Sequence, residues 1–167
     1  VDFAKIDALQ LDGDAMQQIQ TTADYLKIDP AVVAGIMEIE SANKPNATRR
    51  EPHVVARSLE KGYSRDEAEI MGRSYGYFQI LGEGYRMMGY SSPQEFKSAI
   101  TGDLGSQLKV FSRFVQAKPG MLTSLRSKDW SRIAYYYNGA GFRKNNYDNK
   151  LRSAYAKADS RMKKPVV

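Results

Sequence analysis

The stretch DPAVVAGIMEIES, residues 29–41, decides how the chain is read. Asp29 followed by Pro30 marks a helix start. A short acidic side chain caps free amides, and proline fits the first helical position, where its missing N–H is not needed. A turn of 100° per residue then places Val33, Ile36, Met37 and Glu40 on one face. Glu38 falls roughly opposite, beside Ala34 and Gly35, and reads as an ordinary surface carboxylate. Glu40 is the anomaly, a carboxyl on the apolar stripe. Burial disfavours its charged form, and the negative end of the helix dipole acts the same way. Both effects keep the proton on, which is what a general acid needs near neutral pH. The helix alone leaves two blander readings open: the side chain turns into water at the helix end, or it pairs with Arg49, Arg50 or Arg57.

Outward from this helix the chain reads as mainly α. Asp14 caps a helix through Leu26. "SRDE" at 64–67 and "SPQE" at 92–95 both fit a capping box, so helices start near 65 and 93. Leu104, Leu108, Phe111, Phe114 and Val115 recur at helical spacing, and Pro119-Gly120 ends that run. Asp129 caps a helix through Tyr137, "NGAG" stops it, and a last helix spans 146–161 before a loose tail at 159–167 that ends in "KKPVV". Trp130, Tyr135 and Tyr136 fit core packing. Asn43, Pro45, Asn46, Pro52 and Gly62 predict a long loop over 42–62. The best strand signal is "YGYFQI" at 75–80. The expected architecture is one mainly α domain over 1–167 with at most a very small β element.

With 167 residues, 42% of them apolar, the chain can build one hydrophobic core without staples. It has no cysteine, which excludes disulfides and thiolate metal sites. His53 is the single histidine, so a metal centre is not expected, and no cofactor is called for. A net charge of +6 and a pI near 9.4 favour anionic partners. The charges are spread along the chain apart from "RR" at 49–50 and "KK" at 163–164, and no helix clusters them on one side as nucleic-acid binding would require. No apolar run approaches the ~20 residues of a membrane span, and no signal-peptide pattern opens the chain as it stands.

Several short motifs follow Glu40 in order: Glu40-Ser41, "REPH" at 50–53, "YGYFQILG" at 75–82, "MGYSSPQEF" at 88–96, "YYNGAGF" at 136–142 and "NYDNKLRSAY" at 146–155. Together they resemble the lysozyme-like lytic transglycosylases and goose-type lysozymes, and more closely the phage endolysin family of N-acetylmuramidases. The resemblance covers about residues 30–158. Arg50 stands where the family pattern has an aromatic residue before its second Glu.

This resemblance implies a lysozyme-like fold and an enzyme that cuts the glycan strands of peptidoglycan between N-acetylmuramic acid and N-acetylglucosamine. It implies Glu40 as general acid, Glu51 as candidate second carboxylate and Ser74 as a group holding the attacking water. It places Gly76 and Gln79 along the cleft, Tyr137 as the residue whose hydroxyl orients Glu40, and Asn138 against sugar or closing the turn. The implied partner is the glycan strand, with no nucleic acid and no stable membrane insertion. The implied setting is a monomer at the bacterial periplasm or cell wall, phage-encoded. Two alternatives stay open. A lytic transglycosylase needs no second carboxylate, because the substrate's own 6-hydroxyl captures the sugar. A catalytically idle module would only bind glycan.

Overall fold

Pro30 does open a helix, and Asp29 accepts a hydrogen bond from the Ala31 amide at 2.9 Å to cap it. The computed structural model describes residues 2–164. Along the chain run α1 (Phe3–Asp7), α2 (Ala15–Leu26), α3 (Pro30–Ser41), β1 (Thr48–Arg50), α4 (Pro52–Glu60), α5 (Arg65–Met71), β2 (Arg73–Tyr75) and β3 (Ile80–Leu81). Then come α6 (Pro93–Ile100), α7 (Leu104–Gln116), α8 (Pro119–Ser127), α9 (Trp130–Asn138) and α10 (Tyr147–Met162), with 3-10 turns at Gly82–Gly84 and Gly139–Asn145. The fold is mainly α with one small sheet, as the sequence leads one to expect.

Helix α7 lies at the centre. Gln107, Leu108, Val110, Phe111, Ser112, Phe114 and Val115 are all buried, so the helix is covered on most sides. Phe111 stacks on Phe78 with ring centroids 4.2 Å apart. The sheet is antiparallel in the order β1-β2-β3, with Arg49 opposite Ser74 and Tyr75 opposite Ile80. Gln107 joins sheet and helices. Its side-chain oxygen accepts from the Tyr77 amide at 2.8 Å, while its amide group donates to the carbonyls of Pro45 (3.1 Å) and Gly102 (3.3 Å).

The 42–62 region holds β1 and α4 rather than a loop. Pro52 reads as a breaker, but it sits in the first turn of α4, where proline is favoured. Pro119 likewise opens α8, a helix the sequence reading does not anticipate. "YGYFQI" is not one strand: β2 ends at Tyr75, a turn with Gly76 at φ 77° and Gln79 at φ 48° follows, and β3 begins at Ile80. The box at Ser64 and Glu67 forms in full. The one at Ser92 forms by half, because the Glu95 carboxylate turns to Ser91. Helix α10 continues to Met162, so residues 159–162 are helical and not a loose tail. Ala158 is buried there, and Arg161 reaches Glu38 at 3.3 Å. Pro165, Val166 and Val167 of the expected tail lie outside the described residues. Trp130 and Tyr136 are half-buried against the core, whereas Tyr135 is exposed, because its position on α9 faces away from the packed side.

The most extensive helix pairing is α3 with α10. It corrects one detail of the helix reading: Gly35, beside Glu38 on the helical wheel, is buried. A Cβ at Gly35 would lie 3.1 Å from the Tyr155 backbone nitrogen and 3.3 Å from the Ala154 carbonyl carbon. The missing side chain lets the two backbones close up, and the backbone of α10 has no flexible end to give way. Gly35→Val is therefore expected to destabilise the fold by about 1–3 kcal/mol, the range of core overpacking. Urea denaturation checks this, and an unchanged midpoint would contradict the close crossing.

Candidate active site

A cleft of about 360 Å³ opens between the end of α3, the strands β1 and β2, and the segment from the end of α9 to the first turn of α10. From α3 it receives Ile39 and Glu40. The sheet side contributes Arg49, Glu51, Ser74 and Gln79, and the α9–α10 side contributes Tyr137, Asn138, Asn145, Tyr147 and Lys150. Six of the seven residues singled out from the sequence thus converge on one cavity. Gly76 does not line it. Its Cα faces Gln107, whose side-chain oxygen an added Cβ would strike, and its φ of 77° suits the turn. Ser41 does not line it either, being buried and donating to the Met37 carbonyl at 2.8 Å.

Glu40 is partly buried at the foot of the cleft, and desolvation pushes its carboxyl up from 4.5 to about 7. A hydrogen bond from Tyr147 and the field of Arg49 act the other way, and burial prevails. Among the described residues no lysine or arginine forms an ion pair with Glu40. Arg50 pairs with Glu69 at 2.9 Å and Arg57 with Glu83 at 2.8 Å. Neither bland reading of Glu40 therefore holds.

The phenol that orients Glu40 is Tyr147, which donates to Oε2 at 2.6 Å. Tyr137 lies alongside, its ring 6.2 Å from that of Tyr147 and tilted by 23°. The Tyr137 hydroxyl is buried, and no protein atom pairs with it among the described residues. Burial and the neighbouring Glu40 push both phenols upward, so both remain neutral donors. With Oε2 accepting from Tyr147, Oε1 has no protein hydrogen-bond partner among the described residues.

Glu51 stands just ahead of α4 and makes no side-chain cap bond to that helix, so its carboxylate is not spent on the local backbone. Arg49 approaches it at 3.3 Å. Exposed His53 reaches it at 3.9 Å. Arg49 also acts on Glu40, so one guanidinium serves both acids. Ser74 faces Arg49 across the β1–β2 ladder, and its carbonyl accepts from Thr48. Gln79 holds a left-handed backbone, uncommon for a residue with a side chain. Its amide group donates to the carbonyls of Ala47 (3.0 Å) and Gly76 (2.9 Å), which leaves its oxygen as the atom for a ligand donor. Asn138 ends α9 and is exposed at the rim. Among the described residues no three His, Cys, Asp or Glu side chains cluster as a metal would require.

A family model described as N-acetylmuramidase matches residues 54–159, more than half of the chain. The chain belongs to the N-acetylmuramidase family. Members of this family are peptidoglycan glycosidases. The muramidase is also similar in structure to the Burkholderia AP3 phage endolysin: the TM-score is 0.72 at 26% identity, over 89% of this chain and 74% of that one. A comparison with curated proteins finds no match. The family match begins at Val54, so Ser74, Gln79, Tyr137, Asn138 and Tyr147 fall within it, while Glu40, Arg49 and Glu51 lie just ahead.

Sequence reasoning gave no role to Tyr147, Arg49, Asn145 or Lys150 in the cleft. The signal for Tyr147 is present: it shares a helical stripe with Leu151, Ala154 and Ala158, all buried against the core. The stripe does not say which acid the phenol meets.

Two outcomes are expected of this muramidase. Tyr147→Phe removes a hydrogen bond that favours ionised Glu40, so the alkaline limb of the pH–rate profile should move up by about one pH unit, the equivalent of one charge-assisted hydrogen bond. A limb that stays in place would separate Tyr147 from the acid. The second concerns stability. Between 4.5 and about 7 the folded chain holds a proton on Glu40 that the unfolded chain has released, so this group makes stability fall as pH rises through that window. Glu40→Gln removes the titration, and should exceed the native chain by ~2–3 kcal/mol above about pH 8 but by far less near pH 4. Urea midpoints at the two pH values check the sign.

Proposed function

We propose that this muramidase hydrolyses the bond between N-acetylmuramic acid and N-acetylglucosamine in bacterial peptidoglycan, with Glu40 as general acid. The observation that carries the reading is a carboxyl kept protonated by burial, oriented by Tyr147, and facing the same cleft as Glu51. Glu40 gives its Oε1 proton to the glycosidic oxygen. As the C1–O bond breaks, positive charge gathers on the muramyl C1 and ring oxygen, and Glu40 becomes an anion. The Tyr147 hydrogen bond and Arg49 stabilise that anion, so they act more strongly after proton transfer than before it. Glu51 takes the proton from the water that attacks C1, and the Ser74 hydroxyl holds that water. Gln79 accepts from an acetamido N–H or a hydroxyl through its remaining oxygen, while Tyr137 and Asn138 line the sugar's path. The likeness to a phage endolysin and the charge of +6 support a phage-encoded protein acting on an anionic cell wall.

The ion pair between Arg49 and Glu51 favours a second reading. With the Glu51 carboxylate occupied by Arg49, the substrate's 6-hydroxyl would attack C1 instead of water and pass its proton to the Glu40 carboxylate, as in a lytic transglycosylase. Mass spectrometry of the released muropeptides separates the two readings: hydrolysis leaves a reducing muramic acid end, transfer leaves a 1,6-anhydro end. Glu40→Gln is expected to lose roughly 10²–10⁴-fold in rate under either reading. Glu51→Gln should abolish reducing-end products if water is the acceptor. Wall clearance by Glu40→Gln at the native rate would sink the enzymatic reading altogether.

A further inference from the structure

A second groove, of about 430 Å³, runs between α3 and α10 and adjoins the catalytic cleft, sharing Ile39 and Lys150 with it. One wall is a single face of α10, with Asn146, Asn149, Lys150, Ser153 and Lys157 at helical spacing, and the other includes Glu38 of α3. No aromatic residue lines it, so it lacks the flat apolar surfaces on which sugar rings rest. Side-chain amides, a hydroxyl and ammonium groups line it instead. Glu38 is offset by Lys157 at 4.0 Å and Arg161 at 3.3 Å, and Lys150 forms no ion pair among the described residues. Two ammonium groups against one carboxylate leave the groove net positive.

The chemistry of the substrate supplies an occupant. In peptidoglycan a peptide stem branches from the lactyl group of muramic acid, the sugar whose C1 is attacked beside Glu40. The stem is extended, rich in amides, and carries free carboxylates. A polar, cationic channel leading directly out of the catalytic cleft has complementary chemistry. We propose that the α3–α10 groove binds the peptide stem of the muramyl residue and reads its carboxylates through Lys150 and Lys157. This inference rests on the muramidase reading. It makes the enzyme selective for glycan that still bears peptides.

The test compares two substrates: purified glycan strands with their stems, and the same strands stripped of peptide by an amidase. The native enzyme is expected to favour the first. Lys157 lies outside the catalytic cleft, and its side chain is 71% exposed, so its replacement leaves the fold intact. Lys157→Gln is expected to lose about 3- to 10-fold in kcat/KM on peptide-bearing strands, the scale of one partly exposed ion pair, and to keep the native rate on stripped strands. Ser153→Trp, which fills the groove from the exposed side of α10, should show the same split. Equal losses on both substrates would assign the groove to glycan, and unchanged rates on both would leave it without a ligand; either result overturns the proposal. Should the native enzyme cut neither substrate, the muramidase reading falls first and the groove assignment with it.

Discussion

The close crossing of α3 and α10 at Gly35 is the constraint on which the site depends. A side chain there would press on the backbone of Ala154 and Tyr155, so glycine lets the two axes approach this far without a shift. The crossing aligns the last turn of α3 with the first turn of α10. That brings the Tyr147 hydroxyl to the Glu40 carboxylate, although 107 residues separate them along the chain. The same alignment makes the peripheral groove, whose walls are these two helices. The Tyr147–Glu40 hydrogen bond and the groove both follow from one packing contact.

The proton affinity of Glu40 is a balance that the fold sets. Removal from water pushes it up, and the phenol and the guanidinium pull it part of the way back. Burial alone would give an acid too weak to part with its proton, whereas full exposure would give one already ionised at neutral pH. Partial burial with one neutral donor at 2.6 Å lands between them. Tyr147 and Arg49 also limit how much the fold loses by enclosing a carboxyl, since a buried anion with no donor would be far costlier.

Much of this was legible in the sequence, and what was not has physical causes. The stripe of Val33, Ile36 and Met37 located Glu40 because helical periodicity is a local property. Caps at Asp14, Asp29, Ser64 and Asp129 were legible for the same reason. Pro52 and Pro119 misled, because a proline that ends one element and one that begins the next look alike without knowledge of the backbone before them. Tyr147 takes the part expected of Tyr137 for a similar reason. Both lie beside Glu40, and the choice of which hydroxyl points at it depends on how α9 and α10 are rotated about their axes, a long-range property. Gly76 read as a cleft residue because glycine permits close approach; the approaching group proved to be Gln107 of the protein itself.

That glutamine has a mechanical role. Its one amide group ties the turn after β2, the segment before β1 and the loop ahead of α7 to the central helix, with both of its N–H donors and its oxygen in use. The sheet, which carries Ser74 and leads into Glu51, cannot swing away from the central helix without breaking the bonds to Tyr77 and Pro45. The two walls of the cleft are therefore riveted together through one buried side chain, and its loss would let the sheet side of the opening shift against the helices.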